Sequence, residues 1–244
     1  MKLHRAIVGI GGLIAIHLAR AGPPFVTDDP EPPLSGGWEI NVPFILERTA
    51  GNTEMNAPLF DFNYGLPNVQ LKLEFPVAIV HEDSSGTAAG AGDLLLGVKW
   101  RFLNDERSQL QLGVYPQLLL PTGDRAQGLG EGRPAYVLPF LAQKSWDKWT
   151  LYGNVGYWWQ TAAEMRNYFY AGAVVEREIS ERLTLAVELF GNSPKERGSR
   201  SDVAFNLGGT WKFSKHINLL FAGGRDIVGD TTAMGYIGLQ LLTK

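Results

Sequence analysis

The sequence GAGDLLLGVKWRFLN, from Gly90 to Asn104, decides the fold. It contains a Gly-rich loop, a strand of alternating character and a short polar turn, in that order. Because successive side chains of a strand point to opposite faces, this strand has one apolar and one mostly polar wall. The apolar wall therefore faces either a protein core or a lipid bilayer. It consists of Leu94, Leu96, Val98, Trp100 and Phe102, and the other wall consists of Leu95, Gly97, Lys99 and Arg101.

The same unit recurs along the chain, in twelve alternating runs between Trp38 and Leu242. Five short turns lie at one end of these runs and six longer polar or Gly-rich loops at the other. Outer-membrane barrels have this asymmetry, with short periplasmic turns and longer outer loops. The pattern predicts an all-β fold, an antiparallel up-and-down transmembrane β-barrel of about twelve strands over residues 38–244. The longer loops are predicted at 48–56, 81–92, 121–133, 160–166, 191–201 and 225–231.

Aromatic residues gather where the apolar faces of the strands meet the short turns. Amphipathic rings at the level of lipid headgroups form such girdles in membrane proteins. A soluble two-sheet or lipocalin-like protein is the alternative fold, but it gives no reason for aromatic residues at one end of the strands. The predicted girdle consists of Trp38, Tyr64, Trp100, Phe102, Trp149, Trp211 and Phe213.

The first 21 residues predict a cleaved secretory signal peptide, with a buried N-terminal helix as the alternative. Lys2 and Arg5 form a basic start, an apolar stretch follows from Ala6 to Ile16, and Ala19-Arg20-Ala21 is a small-x-small cleavage site. Residues 22–37 carry five prolines without periodicity and are interpreted as a Pro-rich periplasmic lead-in. Their length and prolines motivate the hypothesis that they fold back toward the lumen as a partial stopper. The expected location is the cell outer membrane of a Gram-negative bacterium.

The composition excludes several classes of function. The chain has no cysteine, which excludes thiol catalysis and cysteine metal sites. Without Lys2, Arg5 and Arg20 of the signal peptide, 19 basic residues face 25 acidic ones, and the net charge changes from −3 to −6. Because a basic patch is typical of nucleic-acid binding, this acidic exported chain is not expected to bind nucleic acid.

The polar face of the strands is the best indicator of function. Lysine or arginine on the lipid face of a barrel costs roughly 2–4 kcal/mol at the bilayer midplane, so the charged residues are predicted to face a lumen. Acids and bases can pair and close this lumen, which gives a structural barrel without transport. Alternatively they only narrow a channel whose aromatic lining suits small apolar or aromatic solutes, and this interpretation is favoured. The predicted constriction consists of Asp61, Lys72, Glu74, Lys99, Arg101, Glu176, Glu188 and Lys212, and the predicted lumen aromatics are Tyr115, Tyr152, Trp158, Tyr168 and Tyr170.

No catalytic, metal or cofactor site is expected. The loop Gly128–Gly132 has the sequence GLGEG, but a strand follows it rather than a helix N-terminus that could receive a phosphate. His81 with Ser84 or Ser85 is a candidate pair for an outer-membrane lipid hydrolase, although no orienting third group or oxyanion hole accompanies it. This enzyme is the less favoured alternative.

Several motifs of the mature chain occur together, namely Pro24–Asp29, Gly90–Asp93, Gly97–Phe102, Leu120–Asp124 and the loop Gly128-x-Gly130-x-Gly132. In this combination the chain resembles the family called "putative meta-pathway of phenol degradation" over nearly its whole mature length. The resemblance implies a transporter-like outer-membrane barrel that has membrane lipid and small hydrophobic or aromatic solutes as partners. The outer-membrane assembly machinery is a further expected partner. Such barrels usually end on Phe or Trp, and this chain departs from that pattern with Leu241-Leu242-Thr243-Lys244.

Overall fold

The computed structural model describes residues 22–244, in which one antiparallel β-sheet closes on itself. The predicted signal peptide, residues 1–21, lies outside the described residues. Within residues 22–244, no helix is long and apolar enough to cross a membrane. The elements are a 3-10 helix (Arg125–Gln127) and the strand segments β1 (Trp38–Thr49), β2 (Asn52–Leu66), β3 (Val69–Glu82), β4 (Gly86–Ala91), β5 (Leu94–Asp105), β6 (Leu110–Val114), β7 (Gln117–Leu120), β8 (Ala135–Trp146), β9 (Trp149–Gln160), β10 (Tyr168–Ser180), β11 (Leu183–Asn192), β12 (Asp202–Lys212), β13 (Ile217–Val228) and β14 (Ala233–Leu242).

The fourteen segments form twelve barrel strands, because two strands are interrupted. β4 and β5 pair with successive parts of β3, and β6 and β7 pair with successive parts of β8. The ladder between β1 and β14 closes the ring. A closed ring satisfies the backbone groups of its strands internally, which a bilayer requires because it offers no water to bind them. The predicted antiparallel barrel of about twelve strands is confirmed.

The two ends of the barrel differ in their connections. At the end called here the short-turn end, the connections are 67–68, 106–109, 147–148, 181–182 and 213–216, and both ends of the barrel chain lie there. At the opposite, long-loop end, the connections 121–134, 161–167 and 193–201 are long, and 229–232 is shorter. Two further connections at that end, Ala50-Gly51 and Asp83–Ser85, are tight turns.

The predicted loops 48–56, 81–92 and 225–231 are therefore wrong in extent, because most of their residues belong to strands. Thr49 pairs with Asn52, and Gly51 between them has a φ of +81°, a value that favours glycine. In this region β1 to β4 extend beyond the apolar part of the barrel, and both of their faces are polar or small. The alternation on which the prediction depended disappears there, although the strands continue.

Prolines lie at irregular places in the wall. Pro43 lies within a register shift between β1 and β2, and Pro116 separates β6 from β7. Pro139 of β8 lies opposite that interruption, between the pairs Val114–Phe140 and Gln117–Val137. Its missing N–H therefore removes little from the ladder.

The outward face of the barrel is apolar around the middle of the strands. Val187 and Leu207, which pair across β11 and β12, expose 52% and 55% of their surface, and Ile237 of β14 exposes 55%. An exposed apolar surface of this extent is expected to face lipid. The residues of the predicted girdle lie on this outward face near the short-turn end, and their role in the headgroup region stays a prediction: Trp38, Tyr64, Trp100, Phe102, Trp149, Trp211 and Phe213.

We expect Leu207→Arg to lower the free energy of unfolding by roughly 2–4 kcal/mol in lipid vesicles, because a guanidinium replaces an apolar side chain that faces hydrocarbon. Urea titration of the barrel in phosphocholine vesicles measures the difference. Leu34→Arg, at an exposed leucine outside the barrel strands, is the matched control and should change the stability by less than about 0.5 kcal/mol. An unchanged stability for Leu207→Arg would place this surface in water.

Candidate functional site: the barrel lumen

One wall of the lumen carries a network of buried polar side chains on β1, β2 and β3. Lys72 Nζ lies 3.0 Å from Asp61 Oδ1 and 2.9 Å from Glu74 Oε2. Asp61 also accepts hydrogen bonds from Asn41 (3.0 Å) and Asn63 (2.9 Å). Buried charges are stable only when they are paired and hydrogen-bonded. The charged side chains of this network are paired with one another and hydrogen-bonded within it. The structure thus brings together three residues of the predicted constriction.

The N-terminal segment Gly22–Gly37 enters the lumen from the short-turn end. At that end Gly36 N donates a hydrogen bond to Gly65 O (2.7 Å). Further in, Phe25 is buried against inward-facing side chains of the wall, Tyr152, Val174 and Ala186. The segment is therefore more than a periplasmic lead-in, since its first half lies inside the barrel as the folding-back hypothesis expected. Its action as a stopper stays a prediction.

Two polar contacts join this segment to nearly opposite walls. Thr27 N donates to Glu188 Oε1 on β11 (2.6 Å), and Lys99 Nζ on β5 donates to Asp28 Oδ1 (2.8 Å). β5 and β11 are five strands apart in a ring of twelve, so the segment bridges the lumen. Gly172 of β10 makes room for it, because a Cβ at this position would collide with Thr27 Oγ1.

Burial and the ion pair with Lys99 have opposite effects on the pKa of Asp28. Burial raises the pKa of Asp28 to about 6, and the ammonium of Lys99 opposes this rise. The carboxyl group of a released, solvated segment has the ordinary pKa of about 3.9. Seating of the segment is therefore linked to pH.

A cavity of about 750 Å³ lies between the segment and the long-loop end. Volumes of roughly 300–1,000 Å³ are typical of pockets for small ligands. One side of the cavity is aromatic, because Trp158 of β9 and Tyr168 of β10 stack with ring centroids 6.0 Å apart and Tyr170 lies beside them. The other side, on β1, β12 and β13, is polar and includes Glu47 and Asp226. The cavity can hold an aromatic solute by its apolar faces and a hydrogen-bonding substituent at its polar side.

Two other predicted lumen aromatics belong to the lumen wall. Tyr115 is fully buried, its hydroxyl accepts a hydrogen bond from Gln70 (3.1 Å), and its ring lies 5.0 Å from Lys99 Nζ. Tyr152 donates a hydrogen bond to Glu176 (3.3 Å). The aromatic residues therefore stabilise the polar network as well as lining space.

Two predicted constriction residues lie apart from the buried network. Arg101 donates hydrogen bonds to Asn68 (3.1 Å) and Gln111 (2.9 Å) near the short-turn end. Lys212, at the end of β12, is exposed. Alternation predicts the face of a residue correctly here, but it does not predict how deep in the lumen the residue lies.

Sequence reasoning missed the order of the loop 121–134. Asp93, in the interruption between β4 and β5, accepts hydrogen bonds from Gly123 N (2.8 Å) and Glu131 N (2.7 Å). Leu129 of this loop is buried at the mouth of the barrel. The combination of Gly90-Ala91-Gly92-Asp93 with a second Gly-rich loop was a signal for this contact, but its meaning depends on a tertiary arrangement.

The structure does not join the candidate hydrolase residues. His81 Nδ1 lies 2.8 Å from Thr87 Oγ1, and Ser85 Oγ donates to Glu82 Oε2 (2.6 Å). The described part of the chain contains no group of three or more His, Asp or Glu residues that could hold a metal ion.

These features define an outer-membrane-type β-barrel whose lumen holds its own N-terminal segment. Residues 20–238 match the family model described as "Putative MetA-pathway of phenol degradation", and the chain belongs to this family. No curated protein sequence matches the chain significantly.

Solved structures share the fold at low sequence identity. The COG4313 outer membrane channel from Pseudomonas putida F1 is 16% identical with a TM-score of 0.76, and the match covers 88% of this chain and 98% of that one. The NanC porin is 11% identical with a TM-score of 0.59, covering 83% and 98% of the two chains. The KdgM porin is 9% identical with a TM-score of 0.56, covering 82% and 98%. The fold of this chain is thus the fold of outer-membrane channels and porins.

We expect release of the N-terminal segment to become more favourable as the pH rises from 4 to 6. The seated segment binds more protons than the released one in this range, so the released population should rise by up to about tenfold per pH unit and level off above pH 6. The chain has no cysteine, so a nitroxide on Val26→Cys reports on the segment alone, through its mobile fraction between pH 4.5 and 7.5.

Asp28→Asn is the control for this titration, because it removes the titrating carboxyl group and keeps the shape of the side chain. The mobile fraction of the nitroxide should then depend less steeply on pH, and the dependence that remains comes from other carboxyl groups such as Glu31 of the segment, whose pKa burial also raises. The same pH profile in both proteins would contradict the assignment to Asp28.

Proposed function

We propose that this protein is an outer-membrane channel that takes up small apolar or aromatic solutes without covalent chemistry. The observation that carries the proposal is the 750 Å³ cavity with the stacked rings of Trp158 and Tyr168 on one side. Trp158 and Tyr168 are almost fully buried and support Tyr170, which is partly exposed and can contact a planar solute with its ring. The likeness to outer-membrane channels supports the membrane location and the channel role.

The closed structural barrel is the second candidate, and the paired lumen charges favour it. Lys72 and Lys99 both have acidic partners within 3.0 Å, and Asp28 comes from the segment itself. A solute then crosses only if the N-terminal segment moves. The segment has few residues inside the barrel and only one apolar side chain, Phe25, in a buried cluster, which suits a movable stopper more than a permanent core.

A lipid hydrolase has less support. His81 bonds to Thr87 rather than to a serine, and its side chain is about half exposed. The hydroxyl within hydrogen-bonding distance of His81 is that of Thr87, whereas Ser85 donates to Glu82, so the predicted pair of His81 with Ser85 is not formed.

We expect Trp158→Ala to lower the uptake rate of a monoaromatic solute at subsaturating concentration by roughly fivefold, because Trp158, only 3% exposed, packs against Tyr168 and Tyr170 and its loss removes the support of the aromatic side of the cavity. Uptake of radiolabelled p-cresol by cells with equal amounts of each protein measures the rate. Trp159→Ala is the matched control, since Trp159 is the adjacent residue on β9 and its side chain points outward, 43% exposed. An equal loss of uptake rate in both variants would show that the solute does not pass through the cavity.

We expect deletion of residues 23–34 to raise the single-channel conductance in planar bilayers several-fold, because the bridge between β5 and β11 disappears. The deletion also leaves Lys99 without its partner Asp28. Adding Lys99→Met to the deletion removes this unpaired charge, so the two deletion proteins show how much of the change in conductance comes from the charge and how much from the wider lumen. An unchanged conductance would contradict the action of the segment as a stopper, and no conductance in either protein would favour the closed structural barrel.

A further inference from the structure

Two arginines lie close together on the outside of the barrel at the long-loop end. Arg48 of β1 pairs with Ala233 of β14, and Arg225 of β13 follows Gly224, which pairs with Met234. The register therefore places the two arginines on either side of Ala233. Strands are about 4.8 Å apart, so the two Cα atoms are roughly 10 Å apart, and both side chains can reach one anion between them.

Both side chains project from the barrel wall toward its surroundings. Arg225 pairs directly with Phe205, which shares the outward face of β12 with the exposed Leu207. Arg48 follows the outward-facing Phe44 of β1 by four residues, and Phe44 is 56% exposed. Since side chains on one face of a strand recur every second residue, the arginines continue the outward rows of these apolar residues.

Neither guanidinium has an acidic partner within residues 22–244. The acids next to them in sequence, Glu47 and Asp226, face the inside of the barrel. There Thr231 Oγ1 donates to Glu47 (3.0 Å) and Thr231 N donates to Asp226 (2.8 Å). The wall thus separates the two charge signs, with the acids inside and the arginines outside.

Small residues lie directly on the membrane side of the arginines. Gly223 of β13 pairs with Gly235 of β14, and a Cβ built at Gly235 meets only Leu46 Cβ, at 3.9 Å. The outer surface therefore has a shallow depression over these glycines. The depression continues to the exposed Ile237 on the apolar outward face of the barrel. This shape can hold an acyl chain below a headgroup at the arginines.

We propose that Arg48 and Arg225 bind the phosphate of a phosphorylated lipid in the membrane leaflet at the long-loop end. Guanidinium groups donate paired hydrogen bonds that match phosphate oxygens, and a phosphate between two arginines is bound by charge-assisted bonds. The acyl chains of the lipid lie over Gly223 and Gly235. The site needs a barrel that spans a membrane, but it does not depend on solute passage through the lumen.

Native mass spectrometry of the detergent-solubilised protein with added lipid A tests the site. Wild-type protein should bind lipid A with two phosphates and bind the same lipid without phosphates at least tenfold more weakly. The double variant Arg48→Gln/Arg225→Gln should lose roughly tenfold or more in affinity for the phosphorylated lipid. Gly235→Val should weaken binding less, since it fills the shallow surface and leaves both charges.

Arg177→Gln is the matched control. Arg177 is an exposed arginine on the outward face of β10 at the short-turn end, where its guanidinium lies 4.8 Å from the ring of Trp149. This variant should keep the affinity within twofold. Retained heat-dependent mobility in detergent gels verifies that each variant is folded.

The proposal is overturned if the double variant binds phosphorylated lipid A like the wild type, or if Arg177→Gln loses as much affinity. Equal binding of the dephosphorylated lipid would also overturn it. Displacement of the lipid by excess inorganic phosphate would show that the arginines bind free anions rather than a membrane lipid.

Discussion

The closed hydrogen-bond ladder of the wall is the constraint on which the rest of the structure depends. Once β1 pairs with β14, the position of a residue along its strand fixes whether its side chain faces lipid or the lumen. Lipid cannot accept Lys72, Lys99 or Glu188, so these residues must be satisfied within a narrow interior. Closure of the barrel therefore places several charged side chains in the lumen, where each needs a partner of opposite charge, a hydrogen bond or water.

The N-terminal segment supplies partners for two of these charged side chains, Lys99 and Glu188. Lys72 has acids on its own wall, Asp61 and Glu74, whereas the ion pair of Lys99 is with Asp28 of the segment. Glu188 similarly receives a backbone N–H from Thr27. Removal of the segment leaves two buried ionised groups in need of water, so its position and the hydration of the lumen change together.

The sequence predicted the features that follow from period-two alternation and missed those that do not. The apolar outward face and the inward direction of Asp61, Lys72 and Lys99 needed only the order of residues in a strand. The contact of Asp28 with Lys99 joins positions 71 residues apart through a segment without periodicity, so nothing local indicates it. The strand continuations at 48–56 and 81–92 were missed because side chains outside the apolar region no longer alternate.

At the long-loop end, one side of the barrel is aromatic and the opposite side is charged, both on the inner and on the outer surface. β9 carries Trp158 inside and Trp159 outside, whereas the opposite side carries acids inside and two arginines outside. For the proposed apolar solute, this division predicts favourable contacts on the β9 side of the cavity, because the charged groups on the other side lose hydration when a solute covers them.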